Sequence, residues 1–327
     1  MQDEKLAAGS PTLSEGHIVA PLPISATLSA AALRLVLENH LAWLQGLPDG
    51  QRALLAHATL ADADLEQANL ERSDLKSTNF NNARLSRANL HGANLQFADL
   101  RNAKLIDTDL SFAELLDARL DHAILGGANL SEARLLQTSL RAVNLRQAHL
   151  LEASMERCDL SGAVLIDARL LQAKVLDCNF TEAKLDGANL WHSTFRFCKL
   201  PGISAARSNW GTATLLNCEF RNADLTSARF DRGDLRQSSF WRATMIGCNL
   251  QKSQLNGANL EGANLTGARF HDATTMSANL RGANLRGALG FTQTQLGQAR
   301  TDRETILPNG THGPFLMGSV AHRPGRP

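Results

Sequence analysis

The sequence predicts an all-β solenoid, and two observations carry that expectation. Every fifth residue from Leu55 to Leu285 is a repeat centre, and 43 of these 47 centres are Leu, Phe or Met. Two residues before each centre stands Ala, Ser, Thr, Cys or Gly in 45 of the 47 cases. An α-helix cannot carry this beat, because five residues advance about 500° and successive leucines drift ~140° around the axis. A straight strand fails too, since its side chains alternate and the fifth residue lands on the opposite face. The chain must bend once per repeat, so that the large centre and the small residue point inward each time. Short straight pieces joined by regular corners build stacked coils. The large centre fills the axis, and the small residue fits beside the corner.

Residues 1–25 read as a flexible leader. Met1 to Gly16 is polar, carries Asp3, Glu4 and Glu15, and lacks the basic-then-apolar order of a signal peptide. Ser29 suits the N-cap of a helix over about residues 30–45, closed by Gly46, Pro48 and Gly50. Leu33, Val36, Leu37, Leu41 and Leu44 form one apolar stripe at helical spacing. An open solenoid end must be covered, and residues 26–50 are expected to cover it. Leu35 and Trp43 on the other side are free to meet a partner. Residues 51–288 form the repeat body. From Thr292 to Ala299 a short helix capped by Thr292 is expected. An extended stretch, Thr301 to Leu307, follows and ends at Pro308, which completes a C-terminal cap over 289–308. Residues 309–327, with Gly, Pro and Arg, read as a disordered tail.

Segments such as Ala88-Asn89-Leu90-His91-Gly92, Ala258-Asn259-Leu260-Glu261-Gly262 and Ala283-Asn284-Leu285-Arg286-Gly287 resemble the A(D/N)LXX unit of pentapeptide-repeat proteins. The resemblance runs from residue 53 to residue 287. It implies a right-handed quadrilateral β-helix with four repeats per coil. About twelve coils at ~4.8 Å would make a rod roughly 55 Å long. The module Phe291-Thr292-Gln293-Thr294-Gln295-Leu296 with Thr305-Ile306-Leu307-Pro308 resembles the family's closing module. His40, Trp43 and Leu44 with Gly50, Arg52 and Ala53 resemble its entry module.

Composition narrows the function classes. Net charge is +1, from 33 basic and 32 acidic residues, which argues against direct nucleic-acid binding. No segment reaches the ~18 apolar residues of a membrane span. Five cysteines, an odd number within an internal pattern, suit a reducing cytoplasm. All five, Cys158, Cys178, Cys198, Cys218 and Cys248, hold the small inward position. The first four are one coil apart and are expected to form a structural column. A line of thiols ~4.8 Å apart neither surrounds a metal ion nor closes disulfides. No phosphate loop, nucleophile elbow or Cys/His pair with a base is present, so no catalytic, cofactor or metal site is expected. Pro201-Gly202-Ile203-Ser204-Ala205 puts a bulky Ile in the small slot and Ala at a centre, and Trp210 replaces the next Leu. This reads as a volume exchange or as a bulged binding feature. Thr275 with Met276 is a milder lapse.

Sorted four repeats to a coil, the outward charges of the four faces sum to 0, +1, 0 and 0. Apolar residues do align. Leu116, Leu136, Leu176 and Leu216 share one outward column with Phe97 and Phe197 nearby, and Leu151, Leu171 and Trp191 share the corresponding column of the adjacent face. A contiguous apolar patch on a rod points to a partner. The expected function is therefore a non-enzymatic cytoplasmic scaffold or protein-binding rod, with another protein or a second copy as partner. The resemblance implies a second reading, a DNA-mimic that protects or inhibits gyrase or another topoisomerase. The neutral faces disfavour it. A secreted bacterial effector is the third reading.

Overall fold

The computed structural model describes residues 28–315. Its body is a parallel β-solenoid built by a hydrogen-bond ladder of 20-residue offset. The Leu55 N–H donates to the Asp74 carbonyl at 2.8 Å, and the Asp74 N–H donates to the Ala53 carbonyl at 3.0 Å. The same parallel pairing runs from Leu54↔Asp74 to Arg269↔Leu289. Four five-residue repeats therefore close one coil, as the family resemblance implied. Most sides pair through single bridges. One side widens into five three-residue strands, β1 (Arg134–Leu136), β2 (Ser154–Glu156), β3 (Lys174–Leu176), β4 (Thr194–Arg196) and β5 (Thr214–Leu216), paired in that order.

The corners come from one backbone choice repeated. The carbonyl of a centre accepts from the N–H three residues on, as from Ala58 to Leu55 at 3.0 Å. The second residue after each centre has φ near +60°, as type II-like turns require. Glycine serves only 11 of these corners, and 36 carry a side chain, from Ala142 at φ 50 to His57 at φ 63. The left-handed conformation is unfavourable for those residues. The ladder and the close-packed axis hold it in place, because nearly every centre and small residue is fully buried. Asn or Asp before a centre adds a local bond, as when the Ser131 N–H donates to Asn129 Oδ1 at 3.1 Å.

The irregular Ile203–Trp210 stretch keeps the ladder in phase, with the Ala205 N–H on the Asp224 carbonyl and the Trp210 N–H on the Arg229 carbonyl. Ile203, Ala205 and Trp210 are all buried. The indole packs against Phe195, Phe220 and Phe230 at 5.3–6.0 Å and donates to Ser208 Oγ at 2.7 Å. The volume-exchange reading is the one the geometry supports, and no bulge forms.

Helix α1 (Ala30–Leu44) lies over the first coil, with the Ala32 N–H on Ser29 Oγ. Leu33 is buried and Val36 and Leu37 pack on the core, but Leu41 of the expected stripe is 46% exposed. His40 takes the buried position instead, and its Nδ1 accepts from the Ala53 N–H at 3.1 Å. Trp43 stacks on His40 at 5.5 Å rather than facing outward. A Cβ on Gly50 would lie 2.2 Å from the Trp43 backbone, so only glycine passes there.

At the other end, helix α2 (Gln293–Gln298) begins with a capping box between Thr292 and Gln295. The Gln295 amide also donates to the Phe270 and Ala273 carbonyls. Thr275 stands at a centre because its hydroxyl donates to the Gln295 carbonyl at 2.9 Å. Arg300 and Ile306 then continue the ladder on Asn279 and Asn284. Residues 309–315 depart from the expected disordered tail. The chain folds back, Ile306 bridges His312 antiparallel, and the Phe315 N–H donates to Thr301 Oγ1. The expected leader and residues 316–327 lie outside the described residues.

Candidate functional site

The two residues after each centre occupy the corners, so the outward columns of the sequence run along the rod's edges. Consecutive backbone bonds fix one edge coil by coil: Glu132 N–H to Leu151, Glu152 N–H to Leu171, Gln172 N–H to Trp191 and His192 N–H to Gly211 carbonyls. Leu151, Leu171 and Trp191 thus stack on three successive coils with nothing between them. Leu151 and Trp191 are exposed, at 41% and 43%, and Leu171 is half-buried. The next residue down the column is Gly211, where a Cβ would lie 3.3 Å from Trp191 Cδ1. The missing side chain lets the indole lean along the edge. His192 sits beside it, ring centres 5.2 Å apart.

The other half of the expected patch is less continuous. Leu136 pairs with Glu156, Glu156 with Leu176, Leu176 with Arg196, and Arg196 with Leu216. Charges thus separate the leucines of that edge after Leu116 and Leu136, which together line a shallow depression with Gln96, Glu114 and Arg134. Phe97 and Phe197 are exposed on the same edge, five coils apart. Of the two columns, only Leu151–Leu171–Trp191 is uninterrupted.

The cysteines are buried and free. They complete corners. The Cys158 Sγ–H donates to the Leu135 carbonyl at 3.2 Å, while the Cys158 N–H donates to Cys178 Sγ at 3.3 Å. Thr138 and Ser238 end the column with the same bonds, hydroxyls to the Leu115 and Leu215 carbonyls. At Leu135 and Leu215 the small side chain of the next coil replaces the turn's own hydrogen bond, whereas Leu115 keeps its bond from the Ala118 N–H at 3.2 Å. Hydrogen bonding with Cys158 and burial push the Cys178 thiol well up, and burial pushes Cys248 up to about 12. Such thiols stay protonated and unreactive. Among the described residues no three His, Cys, Asp or Glu side chains converge as metal ligands would.

Sequence reasoning missed one edge feature. Trp241 is clasped by Arg242 at 4.4 Å and Arg221 at 5.8 Å from its ring centre. The signal was present, since Arg221 and Trp241 are one coil apart. No helix among the described residues is long and apolar enough to cross a membrane.

The family of pentapeptide repeats matches residues 51–87, 83–115, 113–150, 138–175, 176–204, 213–242 and 243–274. The uncovered gap at 205–212 falls on the Ala205 and Trp210 exchange. No curated protein matches the chain. Among solved structures, HetL, a pentapeptide repeat protein involved in heterocyst differentiation regulation from the cyanobacterium Nostoc, is 28% identical. That match covers 67% of this chain and 91% of HetL, with a TM-score of 0.34. QnrB1, a plasmid-mediated fluoroquinolone resistance protein, is 19% identical over 52% of this chain and 89% of its own, with a TM-score of 0.37. A pentapeptide repeat protein of the Arabidopsis thaliana thylakoid lumen is 28% identical over 27% of this chain and 69% of its own, TM-score 0.19. With its repeats matched over more than half its length and its coils closing every 20 residues, the chain belongs to the pentapeptide repeat family.

Proposed function

We propose that the chain is a non-enzymatic, cytoplasmic protein-binding rod that engages its partner through the Leu151–Leu171–Trp191 edge. The observation that carries this reading is three large apolar side chains stacked on consecutive coils in mid-rod, two of them exposed. Apolar surface left in water is unfavourable by about 25 cal/mol per Å², and a contiguous patch marks an interaction site where scattered residues do not. The five buried, unpaired thiols fit a reducing compartment. The balanced faces argue against a mimic of the DNA phosphate backbone, which needs a concentrated acidic surface.

The test is the pair Leu171→Glu with Trp191→Glu. Both residues lie outside the core, so the melting point should stay near that of the wild type while complex formation is lost. A double variant that keeps every complex of the wild type would remove the edge from consideration.

A further inference from the structure

We propose that two copies of this chain associate side by side and antiparallel along the Leu151–Leu171–Trp191 edge, with the two-fold axis between the coils of Leu171 and Trp191. The proposal rests on the reading of that edge as a protein-binding surface and names its partner.

Charge favours the antiparallel arrangement. Each face is near neutral over its length, but the rod is polarised along its axis. Residues 53–170 carry 12 basic and 16 acidic residues, a net −4, whereas residues 171–300 carry 15 basic and 9 acidic, a net +6. Parallel copies would set like halves together. Antiparallel copies set the acidic half of one against the basic half of the other, and complementary fields favour and orient such an encounter.

The position of the edge on the rod favours it too. The ladder runs from Leu54 to Leu289, and Leu171 lies midway. An antiparallel pair brings mid-points together, so the apolar stretch is covered in the same arrangement that matches the charges.

The edge columns also match in register. A two-fold axis perpendicular to the rods places each edge column opposite itself in reversed order. With the axis between the two coils, Leu171 faces Trp191 of the second copy, and Leu151 faces Gly211, where the edge has no side chain. Glu132 then faces Arg232, and Arg134 faces Asp234. Glu132 and Arg232 are exposed, and among the described residues neither has an ion-pair partner in its own chain. Arg169 faces Asn189 and Lys174 faces Thr194, so like charges do not meet. Moving the axis onto the coil of Leu171 would set Arg169 and Lys174 each against its own copy. The register between Leu171 and Trp191 is the one that sets Glu132 against Arg232 and Arg134 against Asp234 together.

The six coils from Ser131 to Arg232 span roughly 24 Å at the strand spacing. That is short beside the interfaces of permanent dimers, so association should depend on concentration. Sedimentation velocity over a wide concentration range tests it on the full chain. The wild type is expected to pass from monomer to dimer. Glu132→Arg and Arg232→Glu should each weaken dimerisation by about tenfold or more, since each places like charges twice in a symmetric interface. The double charge exchange, Glu132→Arg with Arg232→Glu, should restore it. A wild type that is monomeric at every concentration, or one whose dimerisation is indifferent to these exchanges, overturns the proposal. The edge reading survives a monomeric wild type if Leu171→Glu with Trp191→Glu abolishes a complex with another protein, and falls if that variant changes neither association.

Discussion

At the residue scale the fold rests on side-chain volume. Ala128 is fully buried at a small slot, with a carbonyl accepting from His149 in the next coil. Ala128→Leu should overpack it and lower stability by roughly 1–3 kcal/mol. Gln147→Lys, on an exposed corner, should stay within about 0.5 kcal/mol. Thermal melts compare the two, and equal melting points would contradict the inward assignment. Asn129, outward on the neighbouring position, bonds Asp109, the Ser131 N–H and the Ser131 hydroxyl. It is therefore a poor control.

His40 gives the entry cap a pH dependence. Burial pushes its imidazole below the usual histidine range; the Glu71 carbonyl opposes this and the Arg52 charge reinforces it. The unfolded chain takes up a proton near pH 6.5 that the folded cap resists. The cap's stability is therefore full above that pH and lost as pH falls through it towards the lower folded value. Melts should show the N-terminal end weakening as pH falls below about 6.5. His40→Gln should flatten that slope; an unchanged slope would assign it elsewhere.

At the element scale, the coils were legible and the ends partly so. The five-residue beat forces a bend per repeat because no straight element can bury every fifth side chain. Ser29 and Thr292 announced their helices by cap chemistry. The rotation of α1, with His40 inward and Leu41 outward, was not legible, because it depends on the Ala53 N–H waiting across the first coil. The fold-back at 309–315 was hidden by a composition of turn residues. The Thr138-to-Ser238 column showed its spacing but not its hydrogen bonds, which require knowing that corners there open. Of the candidate patch, both columns could be read, but the charges of Glu156 and Arg196 cut one of them. The Trp210 exchange offers a direct test. Trp210→Ala should lose about 3–5 kcal/mol by leaving a cavity. Restoring the repeat with Ile203→Ala, Ala205→Leu and Trp210→Leu together should recover most of it. If the triple variant is as unstable as Trp210→Ala, the aromatic cluster has a role beyond filling volume.

At the scale of the whole molecule, rigidity and a polarised charge distribution matter more than any single group. Coils that bond only to their neighbours make an elongated surface with fixed spacing. Faces whose charges sum to 0 or +1 should not imitate a phosphate backbone. The purified protein is therefore expected neither to inhibit DNA supercoiling by gyrase nor to rescue gyrase from a quinolone at micromolar concentration; clear inhibition or rescue would reverse that ordering of functions. The central claim is that one edge of the rod carries the interaction. A photo-crosslinking residue placed at Gln172, and separately at Asp107 on a different edge, measures this in intact cells. Gln172 should give one discrete adduct, with a second copy or another protein, and Asp107 none. Equal labelling from both positions, or no adduct from Gln172, would contradict the account.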